Sequence, residues 1–263
     1  MPPLLEICVD SFESAVAAVR GGADRLEVCA ALSEGGLTPS VGLLSEIKCF
    51  IQKNNHRTKL YAMIRCRQGS DFCYSEPEMN AMVHDLKLLA HDGADGFVFG
   101  ALTDDGNIHA DQCRMIVTAA QTFGLSITFH RAFDCTEVGR MAENLKLVAS
   151  LGFSTILTSG FERTAVEGLQ NVVQLVNIAE QIRVEQGTKM VIMPGSGVTT
   201  ENAQNIVQTT KCCAIHASAR SLKKTDPVCA LPMGSVSTVG DGLLVCDENI
   251  VRLIKIQIAT EVI

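Results

Sequence analysis

Three kinds of signal are missing from this chain, and each absence closes off a class of function. The first is any block of basic residues. Lys and Arg number 22 against 29 Asp and Glu, a formal net charge of −7, and aromatics make up only 5%. Nucleic acid and anionic membrane surfaces are held through clustered cations, so neither is an expected partner, although a local basic pocket stays compatible with this balance. The second is a long apolar run. None reaches the roughly 18 residues that read as a bilayer span. The opening MPPLLEICVD carries neither the basic flank nor the hydrophobic segment of a secretory leader, so secretion is not expected. The third is a paired-cysteine signature. No Cys-x-x-Cys and no Cys/His zinc spacing occurs, although there are 11 cysteines. Scattered and odd in number, they read as reduced thiols, several of them buried as small hydrophobes.

What is present is a regular alternation. Strand patterns fall at 4–10, 24–30, 59–65, 95–101, 126–131, 154–159, 189–194 and 213–218. Helical patterns fall between them, at roughly 11–22, 40–53, 75–93, 109–123, 136–150, 164–186, 200–209 and 247–261. Asp10 or Ser11 suits the first N-cap, and Ser75 with Glu78 suits a capping box. A weak repeat recurs, with a glycine helix stop followed by a strand, in GGADRLEV, DGADGFVF and LGFSTILT. Eight strand–helix units in about 250 residues are what a (β/α)8 TIM barrel requires. A doubly wound open sheet is the second choice. It wants a glycine-rich first turn, and CVDSFES has none, so no nucleotide cofactor is expected. The chain reads as one domain, 1–263, because no linker or low-complexity tract divides it. Segment 221–246 reads as a long loop after strand 8, a candidate lid or oligomer contact.

In such a barrel the chemistry gathers at the C-terminal ends of the strands. In ADRLEVCAALSEGG (23–36) the residues Arg25, Glu27 and Cys29 alternate with Leu26 and Val28. Alternation on a strand puts the cation, the carboxylate and the thiol on one face. That face is the barrel interior if the apolar residues pack outward. Strand periodicity aims Glu27, Arg65, His130 and His216 at the axis. Any one of them could be a structural ion pair or a satisfied core histidine; four converging strands favour a pocket. The turns PGSG (Gly195, Ser196, Gly197) and HASAR sit where barrels often hold phosphate. Arg131 and Arg220 lie close by in sequence, so an anionic ligand is expected there. Cys8 and Cys29 are expected at equivalent depths on adjacent strands. Two such thiols suit a soft ion such as Cu(I) or are plain buried cysteines.

The sequence resembles the CutC copper-homeostasis family. The stretches that carry the resemblance are EICVDSFESA (6–15), GGADRLEVCAALSEGGLTPS (21–40), MIRCRQGSDFCYS (63–75), GADGFVFGALTDDGNI (93–108), TFHRAFD (128–134), ILTSG (156–160), VIMPGSGVT (191–199) and IHASAR (215–220). The resemblance implies a single TIM barrel, a cytoplasmic location with the nucleus as an additional compartment, a homo-oligomer and a role in copper handling. It also implies Cu(I) ligands at Cys8 and Cys29. Two departures stand out. Ser196 replaces a glycine in the family's PGGG turn, and RCRQGSDF stands where RPRGGDF is usual. Two functional readings follow. One is copper homeostasis through Cys8 and Cys29. The other is an enzyme acting on a small phosphate or carboxylate, with His130 and His216 as acid and base, Glu27 orienting, and Arg65 and Arg131 holding the anion.

Overall fold

The computed structural model describes residues 2–224 and 242–259. Eight strands alternate with helices in chain order: β1 (Leu4–Val9), α1 (Phe12–Gly21), β2 (Arg25–Val28), α2 (Val41–Lys53), β3 (Lys59–Met63), α3 (Glu76–His91), β4 (Gly96–Phe99), α4 (Ala110–Gln121), β5 (Ser126–Phe129), α5 (Met141–Leu151), β6 (Thr155–Thr158), α6 (Leu169–Gln186), β7 (Val191–Pro194), α7 (Ala203–Thr210) and β8 (Ala214–Ala217). The strands are parallel and ordered β7-β6-β5-β4-β3-β2-β1-β8, with β7 lying alongside β8 to complete the circle. This is the expected TIM barrel. No helix among the described residues is long and apolar enough to cross a membrane.

The repeat seen in the sequence has a structural cause. Helices α1 and α5 end on Gly22 and Gly152, both in the left-handed region, which only glycine enters without a Cβ penalty. The polar residue that follows ties the next strand to the one before. Asp24 accepts from Leu5 N at 2.7 Å, Asp95 from Leu60 N at 3.0 Å, and the Ser154 hydroxyl donates to Ile127 O at 3.2 Å. Helix α3 carries the full capping box of Ser75 and Glu78.

The apolar core lies outside the barrel wall. Leu5, Ile7, Leu26, Val28, Phe97, Phe129 and Ile215 face outward and pack with the helices. The interior holds two small apolar clusters, Leu157–Met193–Ala214 and Cys29–Met63–Val98, with charged groups between them. Gly96 makes room for one of these groups. A Cβ there would lie 2.5 Å from the Tyr61 ring, and the Arg25 guanidinium stacks on that ring at 4.2 Å.

Segment 221–246 differs at both ends from the irregular loop expected. Residues Arg220–Lys224 (β9) and Gly242–Cys246 (β10) pair antiparallel and lead into α8 (Glu248–Ala259). Residues 225–241 lie outside the described residues, and with them the lid and oligomer-contact expectation for that segment.

Candidate functional site

The C-terminal ends of the strands surround a cavity of about 690 Å³, within the range of small-molecule sites. Its floor is built by β1, β2 and β8. Register sets Glu6 level with Arg25 and with His216, and Cys8 level with Glu27. The result is a buried chain of alternating charge. The Arg25 guanidinium donates to Glu6, and the other Glu6 oxygen lies 2.7 Å from His216 Nδ1. On the far side of the ring, His216 Nε2 is 3.9 Å from Glu27 Oε2. Ligand atoms of Cys8, Glu27 and His216 all lie within 4.8 Å of one another, the one such group among the described residues.

Burial and neighbouring charge set the protonation of this chain. Burial opposes charge on Glu6, but Arg25 and His216 outweigh it and hold the carboxyl down at about 2. Burial also disfavours a charged His216, yet Cys8, Glu27 and Glu6 hold the imidazole well above its usual value. Glu27 goes the other way. Burial, opposed by His216 and reinforced by Glu6, pushes it up to about 7. Its Oε1 is buried with no hydrogen-bond partner.

The two cysteines expected as a pair are not level. Cys8 is opposite Glu27, so Cys29 sits one side-chain repeat nearer the C-terminal end. Cys8 lines the cavity, and Cys29 does not. Cys29 is fully buried among Met63, Val98 and Leu32, with its Sγ 3.7 Å from Glu27 Oε2. Burial, then the Glu27 charge, raises its thiol well above the ordinary value. The difference from equal depth arises because alternation fixes which face a residue takes, whereas register is set by how neighbouring strands stagger around the barrel.

The opposite wall carries Arg65 and His130. Three hydrogens of the buried Arg65 guanidinium go to backbone carbonyls, Glu34 O at 3.0 Å, Gly36 O at 3.0 Å and Gly69 O at 2.6 Å. These bonds tie the 32–36 turn to the 66–71 loop. Its Nε is buried without a partner. His130 Nδ1 accepts from Ala132 N at 3.2 Å, which leaves the proton on Nε2, also buried without a partner. Burial, helped by the Arg65 charge, pushes His130 down to about 3, so the ring is neutral. Phe72 lies against both, 5.4 Å from the guanidinium and 4.9 Å from the imidazole ring.

The expected anion cradle is divided. Arg131 and Arg220 line the cavity. Arg131 is paired with Asp134 at 2.9 Å and donates to Ser159 Oγ at 2.8 Å. Gly195, Ser196 and Gly197 do not line it. Gly195 N is spent on Thr158 O, and the Ser196 hydroxyl donates to Arg163 O at 2.8 Å. Ser196 adopts a φ of 76°, the left-handed region that suits the family's glycine. Sequence reasoning missed the bond between Glu6 and His216. Barrel closure carries that signal, because it sets strand 8 beside strand 1.

A model of the CutC family matches residues 3–221. A "Copper homeostasis protein cutC homolog" of Drosophila melanogaster is 45% identical over 215 residues, covering 82% of this chain and 76% of that one. Its Caenorhabditis elegans counterpart is 40% identical over 255 residues, covering 97% and 95%. The crystal structure of a putative copper homeostasis protein CutC from Streptococcus agalactiae superposes with a TM-score of 0.74 at 28% identity, covering 82% of this chain and 98% of that one.

Proposed function

The chain belongs to the CutC family, and on that premise we propose that it binds Cu(I) at the floor of the barrel mouth, through Cys8 and His216 with Glu27 beside them. The observation that carries this reading is the convergence of one thiol, one imidazole and one carboxylate within 4.8 Å. A thiolate and an imidazole suit Cu(I) better than a hard cation. The Glu6 carboxylate behind His216 Nδ1 is the arrangement that orients a ligating histidine and leaves Nε2 for the ion. Glu27 is a hard donor, and its unpartnered Oε1 gives the ion a charge-balancing neighbour more than a strong ligand. The names of the curated relatives are consistent with copper as the cargo. Cys29, neutral and enclosed, supports the site from behind in this reading. That departs from the Cys8–Cys29 ligand pair that the family resemblance implied.

An anaerobic Cu(I) titration against a colorimetric chelator tests the reading. We expect one ion per chain in the wild type and in Cys29→Ser. Binding is lost in Cys8→Ser and weakened by at least about tenfold in His216→Asn. Wild-type binding in Cys8→Ser refutes the proposed site. Loss in Cys29→Ser together with retention in Cys8→Ser moves the ion elsewhere.

A further inference from the structure

A buried cation without a counter-ion stands on the wall facing the copper site. Arg65 is 5% exposed, and no carboxylate lies within ion-pair distance of it among the described residues. Its carbonyl bonds satisfy hydrogens but do not neutralise charge, and a buried unpaired charge is costly. Beside it, His130 is 4% exposed and presents an N–H with no acceptor. Both line the same cavity. A structural arginine and a core histidine would have their polar atoms satisfied by the protein. Here Arg65 Nε and His130 Nε2 are both donors, both buried and both unpartnered.

From this arrangement we propose that the wall formed by the ends of β3 and β5 binds the oxyanion of a small metabolite, a carboxylate or a phosphate. Arg65 and His130 hold the oxygens, and Arg220 supplies a second cation. The donor set matches an acceptor-only guest. A guanidinium gives charge-assisted bonds to either oxyanion. A neutral imidazole whose Nδ1 is already engaged has only a hydrogen to offer. Arg220 is half-buried on the same cavity and has no ion-pair partner among the described residues. Of the carboxylates that share the lining, Glu27 stands on the floor beside His216 and Cys8, and the others do not compete for the place. Asp134 is engaged by Arg131, Thr158 and the N–H groups of Ser159 and Phe161, and Glu34 and Glu162 lie exposed at the rim. Phe72 closes one side of the subsite against water. The site uses none of the proposed copper ligands, so the two readings stand or fall separately.

The test follows the His130 Nε2–H signal in metal-free protein labelled with 15N-histidine. Inorganic phosphate and malonate are titrated separately to about 20 mM, well above a millimolar Kd. We expect a saturable shift of this signal with at least one of the anions, retained in Cys8→Ser. Arg65→Lys keeps the charge but loses the Nε donor, and it should weaken binding by about tenfold. Arg220→Ala should weaken it severalfold, with the dispersed spectrum reporting that each variant is folded. A response to phosphate alone assigns a phosphorylated metabolite, and a response to malonate alone assigns a carboxylate. No shift with either anion overturns the proposal. A shift left unchanged by both arginine variants overturns it as well.

Discussion

Lowering the pH should expose the cost of keeping His130 neutral. The folded protein holds this imidazole at about 3, through burial first and the Arg65 charge second. In the unfolded chain the same group titrates near ~6.5. Between those values the unfolded state binds a proton that the folded state refuses, so stability falls as the pH is lowered. The contribution is complete above the unfolded pKa and is lost on the way down toward the folded one. Going from pH 7 to pH 5 removes about 2 kcal/mol by this linkage, a large part of a typical total of about 5–15 kcal/mol. The measurement is urea unfolding at pH 7, 6 and 5 for the wild type and for His130→Asn, whose side-chain oxygen can still accept from Ala132 N. The variant is less stable at every pH because it leaves a void, so the informative quantity is the difference in slope. The Glu6, Glu27 and His216 contributions appear in both proteins and cancel. Parallel pH profiles for the two proteins would refute a buried, neutral His130.

Two further substitutions probe how the interior is held. Arg25→Met removes the cation that Glu6 meets in the barrel and should cost about 3–5 kcal/mol, because a buried charge loses its partner; adding Glu6→Gln should recover part of the loss, read from denaturant midpoints. Gly100→Ala would put a Cβ 2.6 Å from His130 Nδ1, and should destabilise by about 1–3 kcal/mol while displacing the His130 ring signal.

The barrel was legible because every strand is short, apolar on one face and closed by a glycine or a polar turn. The pair β9–β10 was not, because its partners are separated by 17 residues and its large apolar residues, Leu222, Leu243 and Leu244, remain exposed. Such strands lack the buried face that alternation reports. Within the site, Arg25 and Glu27 face the barrel interior, as alternation along their strand implies. Alternation could not give the stagger that sets Cys8 beside Glu27 instead of Cys29, nor the closure that brings His216 to Glu6 from 210 residues away. The PGSG motif suggested a backbone cradle open to an anion. The contacts of Ser196 with the 163–165 segment turn it into a brace for the neighbouring loop.

The polar interior also bears on why such a costly arrangement exists. A network that served only to hold the strands together would end on satisfied atoms, since each unsatisfied buried polar group is paid for in stability. The chain Arg25–Glu6–His216 meets that standard, with opposite charges in sequence and both Glu6 oxygens engaged. Its last member does not. Glu27 ends the chain with one free oxygen, a raised pKa of about 7 and the Cys8 thiol beside it, all at the cavity floor. Across the cavity, the unpartnered donors of Arg65 and His130 have the opposite polarity. Among the residues that line the cavity, the unsatisfied groups are thus an acceptor on the β1–β2–β8 floor, Glu27, and two donors on the β3–β5 wall, Arg65 and His130. A cation bound on the floor and an anion bound on the wall would satisfy both sets at once.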